Sequence, residues 1–219
     1  MNKKNLSIIA LVIGCLSALV GVFYLVQTIQ AITDFNFDAP AKNNFYVVFL
    51  AVIFALATVG FAFGAFFLIK AYVAKKEEGE SVAFPMLVYF LYEAVINFMV
   101  MCFWGFNSGK NWTMVILGIV GACLILVQIF GKMDNKTKSI IFICVSVLGF
   151  ALSIVGLSYA GGVSVATYVF TMLLFIALAT YYIFAYLLVN GNNTNDSNTK
   201  VNKDNVVDAE VKEIESEEK

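Results

Sequence analysis

Six stretches of this chain are apolar enough and long enough to cross a membrane, and that pattern constrains the fold more than any other feature. They run from about Leu6 to Ile32, Phe45 to Ile69, Phe84 to Phe106, Thr113 to Phe130, Ser139 to Ala160 and Val163 to Val189. A helix needs about 20 apolar residues to cover about 30 Å of hydrocarbon, a length that the fourth and shortest stretch nearly reaches. Only 13% of the 219 residues are charged, against about 25% in soluble domains. The sequence therefore predicts an all-α, polytopic membrane protein: a six-helix transmembrane domain over residues 1–189, packed as a compact bundle in a lipid bilayer. The fifth and sixth spans are divided only by Gly161-Gly162, so a tight turn at the membrane surface is required there.

Lysine placement predicts the orientation. Eight lysines (Lys3, Lys4, Lys70, Lys75, Lys76, Lys132, Lys136, Lys138) precede span 1 or follow spans 2 and 4, whereas the other connections hold only Lys42 and Lys110. The excess belongs on the cytoplasmic side, which puts both termini in the cytoplasm and the protein in the plasma membrane. Trp104 and Trp112 bracket the outer hairpin FNSGKN, at the depth where amphipathic rings prefer to lie. Every basic residue is Lys, with no Arg and no His, and the polar segments are rich in Asn. That usage is typical of an AT-rich bacterial coding sequence.

The first fifteen residues, MNKKNLSIIALVIGC, resemble a bacterial lipoprotein signal, with Val12-Ile13-Gly14-Cys15 in the place of the lipobox. Ile13 is bulky for its position and the chain stays apolar after Cys15, so the segment reads as an uncleaved first span. From Asn190 the character changes. Residues 190–219 hold four Lys against eight Asp and Glu, a composition that predicts a disordered, Asn-rich and acidic cytoplasmic tail. Within residues 206–219, Val207, Val211 and Ile214 are spaced to form one helical face on a cytoplasmic protein partner, the alternative to a tail that is simply solvated and acidic. No nucleic-acid partner is expected.

Helices in lipid gain nothing from excluding water, and small residues let their backbones approach. Candidate packing positions are Ala10, Gly14 and Ala18 in span 1, beside Ser17 and Gly21; Gly60 and Gly64 in span 2; and Ser146, Gly149, Ser153 and Gly156 in span 5. The four cysteines, at 15, 102, 123 and 144, lie singly inside apolar runs and read as small buried hydrophobes. With no His and no Cys-x-x-Cys pair, no metal site and no cofactor are predicted.

One residue breaks the pattern. Glu93 is the single acid inside a span, nine residues beyond Phe84 and so about 13 Å deep, near the bilayer midplane. Tyr89 and Asn97, four residues before and after, put a Tyr, Glu, Asn ladder on one face of span 3. A charged group at that depth costs at least about 2.5 kcal/mol, and intramembrane acids are often functional. Two outcomes are open. Glu93 is either a neutral packing group, donating to a hydroxyl such as Thr58, Ser17, Ser146 or Thr171, or a wetted site that exchanges a proton, a cation or a cationic substrate. An acid without a nucleophile, metal ligand or oxyanion donor makes no catalytic set, so no enzymatic activity is expected.

The Ala10, Gly14, Ala18 face is similar to the alanine-spaced first span of the substrate-binding subunits of energy-coupling-factor vitamin transporters. Those are also six-span proteins of about this size; the acidic tail departs from their pattern. Small multidrug-resistance transporters likewise use one membrane acid for drug and proton, but have four spans and carry the acid in the first. The sequence thus favours a small transporter or transporter subunit, with Glu93, Tyr89 and Asn97 as the cation, proton or substrate site. The competing class is a non-transporting membrane scaffold or accessory protein whose tail binds a partner, in contact with other membrane subunits or a cytoplasmic protein.

Overall fold

The computed structural model describes residues 3–74, 79–131 and 133–217, with side chains placed over 4–190 apart from 75–80 and 132. Lys75, Lys76 and Lys132, which contribute to the orientation argument, lie outside the described side chains. Six α-helices follow one another: α1 (Lys3–Thr33), α2 (Ala41–Val73), α3 (Phe84–Trp104), α4 (Gly109–Phe130), α5 (Asn135–Leu157) and α6 (Val163–Glu217). A 3₁₀ segment, Gly79–Ala83, leads into α3. All six are long and apolar enough to cross a membrane, α6 through its portion Val163–Asn190. The protein is therefore multi-pass, with no strand among the described residues.

Local chemistry accounts for the helix ends. Pro85 in the first turn of α3 sacrifices no intrahelical hydrogen bond. Ser108 caps α4 by accepting from the Asn111 amide, and Asp134 caps α5 by accepting from the Thr137 amide at 2.9 Å. Hydrogen bonds from the Thr137 hydroxyl and then its amide favour the ionised Asp134 and hold its carboxyl below the ordinary aspartate value of 3.8. Because the folded value is the lower one, the cap's contribution is full above the unfolded value and is lost as pH falls through the folded value. Thermal unfolding in detergent is accordingly expected to be lower for Asp134→Ala than for the wild type at neutral pH, with the gap closing in acid.

The turn between α5 and α6 needs a residue with positive φ. Gly162 supplies it at φ 56°, and nothing lies within 4 Å of where its side chain would be. The cost of Gly162→Ala is then purely conformational, roughly 1 kcal/mol, readable as a lowered unfolding temperature. Gly161, equally uncrowded and without a positive φ, is expected to accept alanine with little change.

Neighbouring helices in sequence pack on one another, and α1 also packs along α6. The six therefore close into a ring in the order α2, α1, α6, α5, α4, α3, with α3 touching α5 across it. Small residues set the close approaches. Gly14 leaves room for Leu68 and Ile69, and Gly21 for Phe61; Ser17 donates to the Phe61 carbonyl at 2.8 Å, which binds α1 to α2. Ala10 is buried on this face, Ala18 half-buried. Gly60 and Gly64 face Val88 and Pro85, so the α2 pair serves the seam with α3. On α5, Gly149 and Gly156 accommodate the rings of Phe175 and Tyr168 from α6. Two further glycines, not singled out in the sequence, matter as much: Gly118 abuts the α3 backbone at Phe90 and Ala94, and Gly121 abuts the Phe90 ring.

One expectation is corrected. All four cysteines are exposed at the bundle surface. The outer surface of a membrane bundle faces hydrocarbon, so a small apolar thiol loses nothing by leaving the core. The α6 backbone is helical to Glu217, beyond its apolar portion Val163–Asn190. An existing helix extends without a new nucleation cost, and Ala209, Glu210, Lys212 and Glu213 are good helix formers. The side chains of Val207, Val211 and Ile214 are outside those described.

Candidate functional site

Glu93 lies inside the ring of helices with no solvent-accessible surface at all. Its position follows from α3, whose residues Met86, Tyr89, Phe90, Glu93 and Ala94 share the buried face at helical spacing. The same spacing brings Asn97 back over Glu93. Asn97 Nδ2 donates to the Glu93 backbone carbonyl at 2.8 Å and to Glu93 Oε2 at 3.0 Å. The other carboxyl oxygen, Oε1, closes no hydrogen bond.

Tyrosines from three helices surround the carboxyl. The hydroxyls of Tyr168 in α6 and Tyr89 in α3 face it. Tyr24 of α1 and Tyr92 of α3 lie within electrostatic reach, their rings edge to face at 4.7 Å. Behind Tyr89 stands Ser153 of α5, with Ser153 Oγ 3.1 Å from the Tyr89 hydroxyl. Phe175 packs edge-on to Tyr89 at 5.0 Å and fills the space over Gly149. Thus the α5 face read from the sequence as packing also supports the acid's surroundings: Gly156 makes room for Tyr168, and Ser153 contacts Tyr89.

The hydroxyls proposed from depth alone as partners of Glu93 are engaged elsewhere. Thr58, Ser146 and Thr171 donate to the carbonyls four residues earlier in their own helices, and Ser17 donates to Phe61. Serine and threonine in helices readily bond back in this way. Charge also approaches the site from a helix end. The sequence offers no lysine near the centre of a span, yet Lys110, in the first turn of α4, is within electrostatic reach of Glu93. Its ammonium is half-buried and sits 3.3 Å over the ring of Tyr159, in the α5–α6 turn. A lysine stem of four methylenes is long enough to carry charge inward from a helix end.

Two of the grooves between helices, both among the described residues, are apolar. One of about 410 Å³ lies between α1 and α2 near Thr28, Phe35 and Val48; the other, about 260 Å³, lies between α2 and α3 near Gly60, Val88 and Tyr92. Neither is lined by Glu93. A second buried acceptor without a partner, Gln128 Oε1, belongs to α4. Among the described residues no three His, Cys, Asp or Glu side chains cluster as metal ligands would. Known protein families, curated proteins and solved structures give no match to this chain.

Proposed function

We propose that this chain is a small transporter or transporter subunit of the plasma membrane, without enzymatic activity, in which Glu93 exchanges a proton or a cation. The observation that carries this reading is an acid buried at the centre of a membrane bundle with one oxygen left unpartnered. An acid kept only for packing would be expected to satisfy both oxygens, since an unmet buried acceptor costs about 1–3 kcal/mol. Tyr89 and Asn97 belong to the same site, joined by Tyr168. The lysine distribution supports cytoplasmic termini, with Lys110 and Tyr159 on the outer face.

The competing reading is a membrane scaffold or accessory protein whose cytoplasmic extension binds a partner. It draws support from the complete enclosure of Glu93 and from the length of α6 beyond its span. The isosteric Glu93→Gln variant separates the two. Its folding is expected to match the wild type while pH-dependent flux in reconstituted vesicles, or a growth phenotype of the cell, is lost. Unchanged flux and phenotype in a folded variant would remove the transport reading.

A further inference from the structure

Ser153 Oγ lies 2.8 Å from the Gly149 carbonyl and 3.1 Å from the Tyr89 hydroxyl. A serine hydroxyl has one hydrogen, and a carbonyl can only accept. The shorter contact takes that hydrogen, which makes Ser153 an acceptor toward Tyr89. The Tyr89 hydrogen then has two possible destinations: Ser153 Oγ on α5, or the Glu93 carboxyl one turn along α3. A carboxylate outcompetes a neutral hydroxyl for a donor, because a charge-assisted bond is roughly twice as strong. A neutral carboxyl has no such advantage.

We propose that Tyr89 is a reorienting donor: its hydroxyl turns to Glu93 when that residue is charged and to Ser153 when it is neutral, so that the charge of one side chain is read as a bond between α3 and α5. This rests on the reading of Glu93 as a site of proton exchange. The proton that arrives is taken up on the carboxyl, where Oε1 is open; Tyr89 keeps its own hydrogen and only rotates about its C–O bond. Every other group aimed at the carboxyl is accounted for. Asn97 is fixed by its bond to the Glu93 carbonyl. Tyr24 on α1, Tyr92 on α3, Lys110 on α4 and Tyr168 on α6 are the remaining titratable groups that sense Glu93. Tyr46 of α2 packs on Phe103 and Trp104 and is within electrostatic reach of Tyr92. Tyr89 has a neutral hydroxyl within reach on another helix, Ser153 of α5 at 3.1 Å. The junction it bridges is tight, since Phe175 of α6 wedges between Tyr89 and Gly149, so a bond made or released there is placed to alter how α5 and α6 sit on α3.

An apolar carbodiimide, dicyclohexylcarbodiimide, reacts with the protonated carboxyl and tests the switch on the full chain in lipid vesicles. Adduct formation at Glu93 is followed by peptide mass spectrometry at one fixed pH. Tyr89→Phe removes the donor to the carboxylate, favours the neutral acid and is expected to label several-fold faster. Ser153→Ala leaves Tyr89 only Glu93 to donate to, favours the carboxylate and is expected to label several-fold slower, with Ser153→Thr restoring the wild-type rate. Opposite signs are the signature, because loosened packing would speed both. Changes of the same sign, or none, in variants with wild-type thermal unfolding would overturn the switch; if Tyr89→Phe does not fold, an unchanged or faster rate in Ser153→Ala does so alone. Unchanged flux in Glu93→Gln together with opposite labelling shifts removes the transport reading and leaves the switch, whereas lost flux with shifts of one sign does the reverse.

Discussion

Replacing Gly118 by leucine is expected to cost about 3 kcal/mol of stability, at the upper end of what overpacking does, and to leave little folded protein. A β-carbon at this position would stand 2.9 Å from both the Ala94 amide nitrogen and the Phe90 carbonyl oxygen. Both are backbone atoms, so no side-chain rotation relieves the clash and α3 must move off α4. In a bilayer the separated faces are solvated by lipid as apolar as themselves, which removes the hydrophobic penalty that would hold a soluble core together. The contact therefore depends on fit. The displaced segment includes Ala94, the residue next to Glu93, so the acid's surroundings are expected to open as stability falls. Folded yield after detergent extraction and the unfolding temperature report the first effect. The control is Gly109→Ala in the same helix, where nothing lies within 4 Å and a change within about 0.5 kcal/mol is expected. Similar losses in both variants would show that α4 tolerates no substitution of any kind, and would remove close backbone approach as the cause.

The difference between Gly118 and the glycines read from the sequence shows what a linear pattern can carry. Six long apolar runs are a local property, and each span could be placed within a few residues because hydrocarbon thickness sets one length for all. Glu93 was legible as an anomaly for the same reason, and Asn97 because its partner lies one turn away in the same helix. Tyr168, Tyr24 and Lys110 come from other helices, so their approach to Glu93 depends on the order of the ring, which no span encodes alone. Ser153 was legible only as a small residue; its contact with Tyr89 appears when α5 crosses behind α3. The cysteines were misplaced by a rule of soluble proteins, that apolar means interior, which fails where the surrounding medium is itself apolar.

Replacing Glu93 by methionine is expected to separate structure from function most widely. Methionine is unbranched, close in length and able to fill an irregular gap. It removes the unpartnered Oε1, and the Asn97 amide keeps its bond to the backbone carbonyl at position 93. Relief of one unmet buried acceptor is worth about 1–3 kcal/mol, set against the loss of the Asn97 bond to Oε2, so the variant is expected to unfold at the same temperature as the wild type or higher. Transport, where Glu93 supplies the exchanging group, is expected to vanish. Glu93→Lys serves as the opposite extreme: it puts a cation among tyrosine hydroxyls and beside the field of Lys110. An uncompensated buried charge of this kind costs about 3–5 kcal/mol, and the protein is expected not to accumulate. A chain that loses stability with methionine needs its acid to hold the helices together, and the scaffold reading follows. A chain that gains stability and loses flux has kept a costly group for what it does rather than for how it folds, the trade expected of a working site.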